Sequence, residues 1–446
     1  MDSYNVDNNL IGSICKWLEN EKNKIVDLCC ELIQHKSPTG EESEIQYFLF
    51  DLLKKELEPD YLKMIEVKEN RPNIVMVLGK DNTKNKGLLL NAHVDVVDVN
   101  EKELQKWSTD PWTPTIIEEK IYGRGANDMK GGIAALIWAL KALKKFDVKL
   151  NKNVGLELVV GEELMEHEIG TTAATKALKD DGYEFEFALI PEPTNLEVHV
   201  ISPGAFVLEI KVMGREVHDG VRNVILYPQP WGVPSGSDVG ADAIEKIVLI
   251  YNALRYLERD VIMRWKHKLL GGGGYPRGPD LQGVGSFFNL NIALIEGGTY
   301  ISSVPGYAKI SANCYYPPWL SFEDVKNLIL KTLDSLASYD SWLARNPPKV
   351  SFSMLWPPYE TEINNPYCEI LALSIKEATQ KEVVYSGFKA VCDVSFLQPF
   401  GIKGVCFGPG DLTMGSHGPN EYVPIHQIID AAKSIATFLI RTCNNK

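Results

Sequence analysis

Five side chains in this sequence have the types and settings of metal ligands: His93, Asp128, Glu163, Glu192 and His417. His93 closes the apolar run Leu88-Leu89-Leu90 in Asn-Ala-His-Val-Asp95, and Asp128 lies in the glycine-rich turn Gly123-Arg-Gly-Ala-Asn-Asp-Met-Lys-Gly-Gly132. Glu163 and Glu192 each follow a further apolar run, Val154 to Val160 and Phe187 to Ile190. Taken singly, each is an ordinary strand-end or turn residue. Taken together, they sit at the ends of separate buried-type strands, and in an open α/β sheet those ends converge on one crevice.

Two imidazoles and three carboxylates, one of them shared, suit two Zn²⁺ ions about 3.5–4 Å apart, an arrangement that acidifies water and polarises a carbonyl. Co²⁺ and Mn²⁺ are alternatives for the same donors. Glu162, one residue before a ligand, is left free to carry a proton. Asp95 stands two positions after His93, so on an extended strand it faces the same side and would hold the imidazole in its metal-binding tautomer.

The elements that must position these residues follow from periodicity. Leu10 to Ile33 repeats at helical spacing and predicts an N-terminal helix broken once; Thr39-Gly-Glu-Glu42 reads as a capping box opening a second helix toward Leu57. Strands are predicted at Met64–Val67 and Asn73–Leu78, and a helix over Ile133 to Leu143. The fold class is therefore α/β, a mixed open sheet with helices on both faces. After Pro203-Gly204 the order becomes β-α-β-β-α-β, a ferredoxin-like α+β domain inserted into the first. The expected domains are 1–203 with 357–446 for catalysis, and 204–356 for the insertion.

At 446 residues the chain is long enough for two domains. A formal charge of −13 without a basic stripe argues against nucleic acid and anionic membrane and favours a small-molecule substrate. No apolar run reaches membrane-spanning length and the first residues lack a signal-peptide pattern, so a cytoplasmic location is expected. The eight cysteines show neither C-x-x-C spacing nor a disulfide framework and read as reduced core residues.

The strings L-L-N-A-H-V-D, G-R-G-A-N-D-M-K-G-G, G-E-E, P-E-P-T and H-G-P-N-E-Y-V-P resemble the signature set of the dinuclear-zinc amidohydrolase and exopeptidase family. That family includes acetylornithine deacetylase, succinyl-diaminopimelate desuccinylase, aminoacylase and glutamate carboxypeptidase. The resemblance implies that Asp128 bridges the cations, with His93 and Glu192 on one and Glu163 and His417 on the other. It also implies a cis peptide after Asp128, Glu162 as general base, and His218 as a lid histidine reaching the partner subunit's site in a homodimer.

Two positions depart from the family pattern. Ser302 and Tyr315 stand where many relatives carry an asparagine and an arginine that grip a substrate carboxylate, and a phenol does not replace a bidentate guanidinium. Arg222, Arg277 and Asn291 are candidate substitutes. The expected activity is removal of an acyl group from an N-acyl amino acid or N-acyl amine. The alternatives are a dipeptidase or exopeptidase on the same site and a non-catalytic binding relative, against which all five ligand positions and Glu162 are intact.

Overall fold

The strand Gly87–His93 is buried along its whole length, as a strand covered on both faces must be, and Val154–Val159 and Phe185–Ile190 beside it are almost as enclosed. The computed structural model describes residues 8–79, 86–227, 229–265, 267, 269 and 286–444. Arg277 and the glycine-rich stretch 271–279 lie outside the described residues. The chain forms two compact units, Met1–Ile201 with Tyr359–Lys446, and Ser202–Pro358.

The first unit is built on a nine-stranded sheet. Its centre is parallel: Gly87–His93 pairs in that sense with both Val154–Val159 and Phe185–Ile190, and Lys403–Cys406 continues beside Phe185–Ile190. Arg71–Leu78 joins antiparallel outside Val154–Val159, and Tyr61–Lys68 antiparallel outside that. The sheet is therefore mixed. Gly131–Lys145 and Ile425–Cys443 pack on each other and on Gly87–His93, while Thr171–Asp180 and Val394–Leu397 pack together over Val154–Val159 and Phe185–Ile190. Gly132 is the price of a close approach, because a Cβ there would collide with the Pro191 carbonyl.

The N-terminal periodicity resolves into Asn8–Asn20 and Lys22–Gln34, broken once as its pattern suggests. The capping box at Thr39–Glu42 does not form. Ser43–Leu57 starts with no side-chain cap, since the Glu42 carboxylate accepts from Gly40 N (2.9 Å) and from Arg71 Nε (2.8 Å). Arg71 is 3% exposed, and a guanidinium so enclosed must be paired. Thr39 instead donates its hydroxyl to Asp95 Oδ2 at 2.8 Å.

The second unit follows β-α-β-β-α-β order with Gly204–Met213, Ala243–Arg264, Asn289–Gly297, Tyr307–Tyr316, Phe322–Leu336 and Lys349–Trp356. The four strands of its main sheet are all antiparallel, Asn289–Gly297 at one edge and Lys349–Trp356 at the other, and Val217–His218 pairs separately with Ser303–Val304. Strict alternation along Tyr307–Tyr316 buries Ala308, Ile310, Ala312, Cys314 and Tyr316 in one core with Ile247, Ile250 and Leu254 of the first helix and Val325, Ile329 and Leu333 of the second. Here a capping box does form, between Ser321 and Asp324.

Candidate metal centre

Asp128 presents its two carboxylate oxygens to two different imidazoles. Oδ1 lies 3.3 Å from His93 Nε2 and Oδ2 lies 3.6 Å from His417 Nε2. Glu192 Oε1 is 3.9 Å from His93 Nε2, and Glu163 Oε2 is 2.9 Å from His417 Nε2. Two ligand groups result, His93–Asp128–Glu192 and Asp128–Glu163–His417, and within each the donor atoms all lie inside 4.8 Å of one another. All five residues read as ligands in the sequence meet here, and the peptide after Asp128 is cis.

Local structure explains each placement. His93 is the last residue of its strand, Glu163 follows the turn that ends Val154–Val159, and Glu192 follows Phe185–Ile190. His417 lies in a tight turn with φ of 61° and is 55% exposed, so the centre is open on its side and closed on that of His93, which is 2% exposed.

Electrostatics point the same way. Burial pushes the carboxyls of Glu162, Glu163 and Glu192 above the usual carboxylate range, with neighbouring carboxylates adding to the effect. Burial acts on Asp128 in the same sense, yet the contacts to His417 and His93 outweigh it and hold that carboxyl low. Burial opposes a charge on His93, but Asp128 and the surrounding acids raise its pKa. Four acids crowded into a site of low dielectric are costly unless cations offset them. Hard oxygen and imidazole donors in two groups sharing one carboxylate fit a pair of divalent cations.

Asp95 acts differently from expectation. The His93 Nδ1 partner is the main-chain carbonyl of Asp95 at 3.0 Å, whereas its carboxylate is 3.8 Å away. That carboxylate accepts from the peptide nitrogens of Glu162 (3.3 Å) and Glu163 (3.2 Å). Chain direction past the strand end decides this, because Asp95 lies beyond Gly87–His93 and is not bound to strand alternation. Its side chain fixes the turn that carries the glutamates.

The remaining candidates lie in the second unit. His218 is 78% exposed, accepts from Gly220 N through Nδ1 (3.0 Å) and lies 3.1 Å from Asp219. Ser302 is beside it in the fold, its carbonyl accepting from Asp219 N at 3.1 Å. Asn291 pairs with Asn313, and Tyr315 with Asn289, on the four-stranded sheet. Arg222 forms an ion pair with Asp242, 2.9 Å away, at the start of Ala243–Arg264. The histidines without ligand context serve local packing: His35 stacks on Phe48, His167 on Phe396 and His267 on Trp319.

One polar group had no sequence signal. Glu157, inside an otherwise apolar strand, is fully buried and accepts at Oε2 from Asn91 Nδ2 (2.8 Å) and Thr175 Oγ1 (3.2 Å). Burial pushes its carboxyl from 4.5 to about 8. A carboxyl raised on folding binds its proton more tightly in the native state, so stability falls as pH rises between those two values. Glutamine mimics the neutral acid. Urea unfolding of Glu157→Gln should therefore lose less stability than wild type between about pH 5 and pH 8; parallel profiles would show that Glu157 titrates normally.

Residues 89–441 match the family model described as Peptidase family M20/M25/M40. The chain belongs to this family. As a member of M20 it is a hydrolase acting on amide bonds, and the two ligand groups mark it as one that uses divalent metal. It is 30% identical over 393 residues to N-formyl-4-amino-5-aminomethyl-2-methylpyrimidine deformylase of Halalkalibacterium halodurans, covering 85% of each chain. The Bacillus subtilis protein of the same name is 28% identical over 98% of both chains. Human carnosine dipeptidase 1 shares the fold, with a TM-score of 0.69 at 17% identity and coverage of 97% of this chain and 98% of that one. The fold of that enzyme thus extends over nearly all of this chain.

Proposed function

We propose that this M20 enzyme binds two Zn²⁺ ions and removes a formyl or other small acyl group from an amine that carries no α-carboxylate. The observation that carries the reading is the division of Asp128 between His93 and His417, one oxygen to each. Ser302 and Tyr315, at positions where a carboxylate grip would be expected, argue for an uncharged amine portion. The 30% identical relative is named for deformylating an aminomethylpyrimidine, an amine of that kind.

In this reading His93, Asp128 and Glu192 hold one cation, and Asp128, Glu163 and His417 the other. Bound there, the cations lower the pKa of water and polarise the amide carbonyl. Glu162 accepts the proton of the attacking water and returns it to the departing amine nitrogen, and among the described residues no hydrogen-bond partner occupies its carboxylate. Asp95 keeps Glu162 in place through the peptide nitrogen. His218 of a second copy donates to the developing oxyanion. Its exposure suits a group waiting for a partner, and Asn289–Gly297 offers an edge for homodimer formation, with Leu294 and Ile295 each 57% exposed.

A cytoplasmic location agrees with eight free cysteines, and among the described residues no helix is long and apolar enough to cross a membrane. The test is a substrate panel on zinc-loaded protein: N-formyl aminomethylpyrimidines, N-acetyl and N-succinyl amino acids, and dipeptides. The highest kcat/KM is expected for the formamides lacking a carboxylate. Preference for dipeptides or N-succinyl amino acids would overturn the substrate reading: dipeptides would make the enzyme a peptidase on the same site, and N-succinyl amino acids a deacylase of substrates that carry a carboxylate.

A further inference from the structure

Glu421 is 1% exposed, more enclosed than any of the five proposed ligands. Its carboxylate spans the turn that carries Asp128. Oε2 accepts from Gly125 N (3.0 Å) and Arg124 Nη1 (2.7 Å), and Oε1 from Asn127 N (2.9 Å) and Asp128 N (3.1 Å). Gly125 has φ of 80°, and the run of peptide N–H groups beyond it points inward as a concave anion-binding nest. The anion in this nest is Glu421.

The same residue joins that turn to the segment bearing His417. Its main-chain carbonyl accepts from Gly123 N at 3.0 Å, and the following strand, Tyr422–Pro424, pairs with Lys120–Tyr122. Asn127 completes the tie through Nδ2, which donates to Asp411 O (2.9 Å) and Ser416 Oγ (2.6 Å). Arg124, itself 1% exposed, bridges onward to Glu103. The carboxylate is thus solvated by protein donors on both oxygens, a role that neither a hydrophobic residue nor an amide can fill.

We infer that Glu421 is a positioning residue of the dinuclear centre: it sets the main chain of residues 125–128 so that Asp128 reaches both cation positions, and it holds His417 in register with Asp128. The inference rests on the two-cation reading given above. Partners that orient ligands in this way are worth 10–100-fold in metal affinity or activity. Glutamine at 421 would turn an amide N–H₂ toward one pair of donors, leaving two N–H groups facing a donor.

The test is stepwise Co²⁺ binding to full-length apo protein, followed by calorimetry and by visible absorption, for wild type and Glu421→Gln. Wild type should take two ions. The variant should bind the second about 10–100-fold more weakly, with an altered spectrum of the doubly loaded form. A folded Glu421→Gln protein with wild-type affinities and spectrum overturns the inference, whatever its melting temperature. Where the glutamine variant does not fold, Glu421→Asp, which keeps the charge but spans the nest less fully, is read by the same two measures. Wild type binding no pair of ions would remove the two-cation reading and this inference with it, whereas two ions bound equally by wild type and variant removes this inference alone.

Discussion

Glu162→Gln is expected to lower kcat by about 10²–10⁴-fold while both cations stay bound. That loss corresponds to about 2.7–5.5 kcal/mol of transition-state stabilisation, the scale of a positioned acid–base group. The argument is one of position. Glu162 precedes Glu163 in a turn whose peptide nitrogens are both held by Asp95, so its carboxyl lies among His93, Glu163 and Asp128 without belonging to either ligand group. Glutamine keeps the shape and removes the proton-accepting oxygen. Steady-state kinetics with elemental analysis of the same sample decides the matter: full activity would place the base elsewhere, and loss of a cation would make Glu162 a ligand.

The second large effect is expected from Asp128→Ala. Because Asp128 is common to both ligand groups, its removal leaves His93 with Glu192 and His417 with Glu163, two donors each. Two protein donors are fewer than the three that catalytic zinc sites keep. The variant should therefore retain neither cation after dialysis and should be inactive, whereas His417→Ala, which strips only one group, should retain one. Metal content per chain measures the difference. Two cations retained by Asp128→Ala would refute the sharing.

How much of this was readable in advance depends on the scale of the signal. Apolar runs ending in His93, Glu163 and Glu192 were legible because a strand covered on both faces must be apolar throughout, so its polar end stands out. The alternation along Tyr307–Tyr316 made the second unit's strand pattern legible for a similar reason. The pairing of Glu42 with Arg71 was not, since a capping box and a long-range ion pair use the same glutamate and only tertiary packing chooses between them. Asp95 was expected to meet His93 through its side chain, whereas its main-chain carbonyl makes the contact, because the strand ends before it. Glu157 carries no local signal, and the string H-G-P-N-E-Y-V-P marks Glu421 without saying what it contacts. A buried acid in a turn motif or an apolar strand looks like any other acid until its donors are seen, and Arg277 lies outside the described residues.

The most direct measurement is anomalous diffraction at the zinc absorption edge from crystals of the zinc-loaded protein. The account predicts two peaks per chain about 3.5–4 Å apart, with Asp128 between them, His93 and Glu192 against one and Glu163 and His417 against the other. A single peak, or peaks away from Asp128, would contradict it.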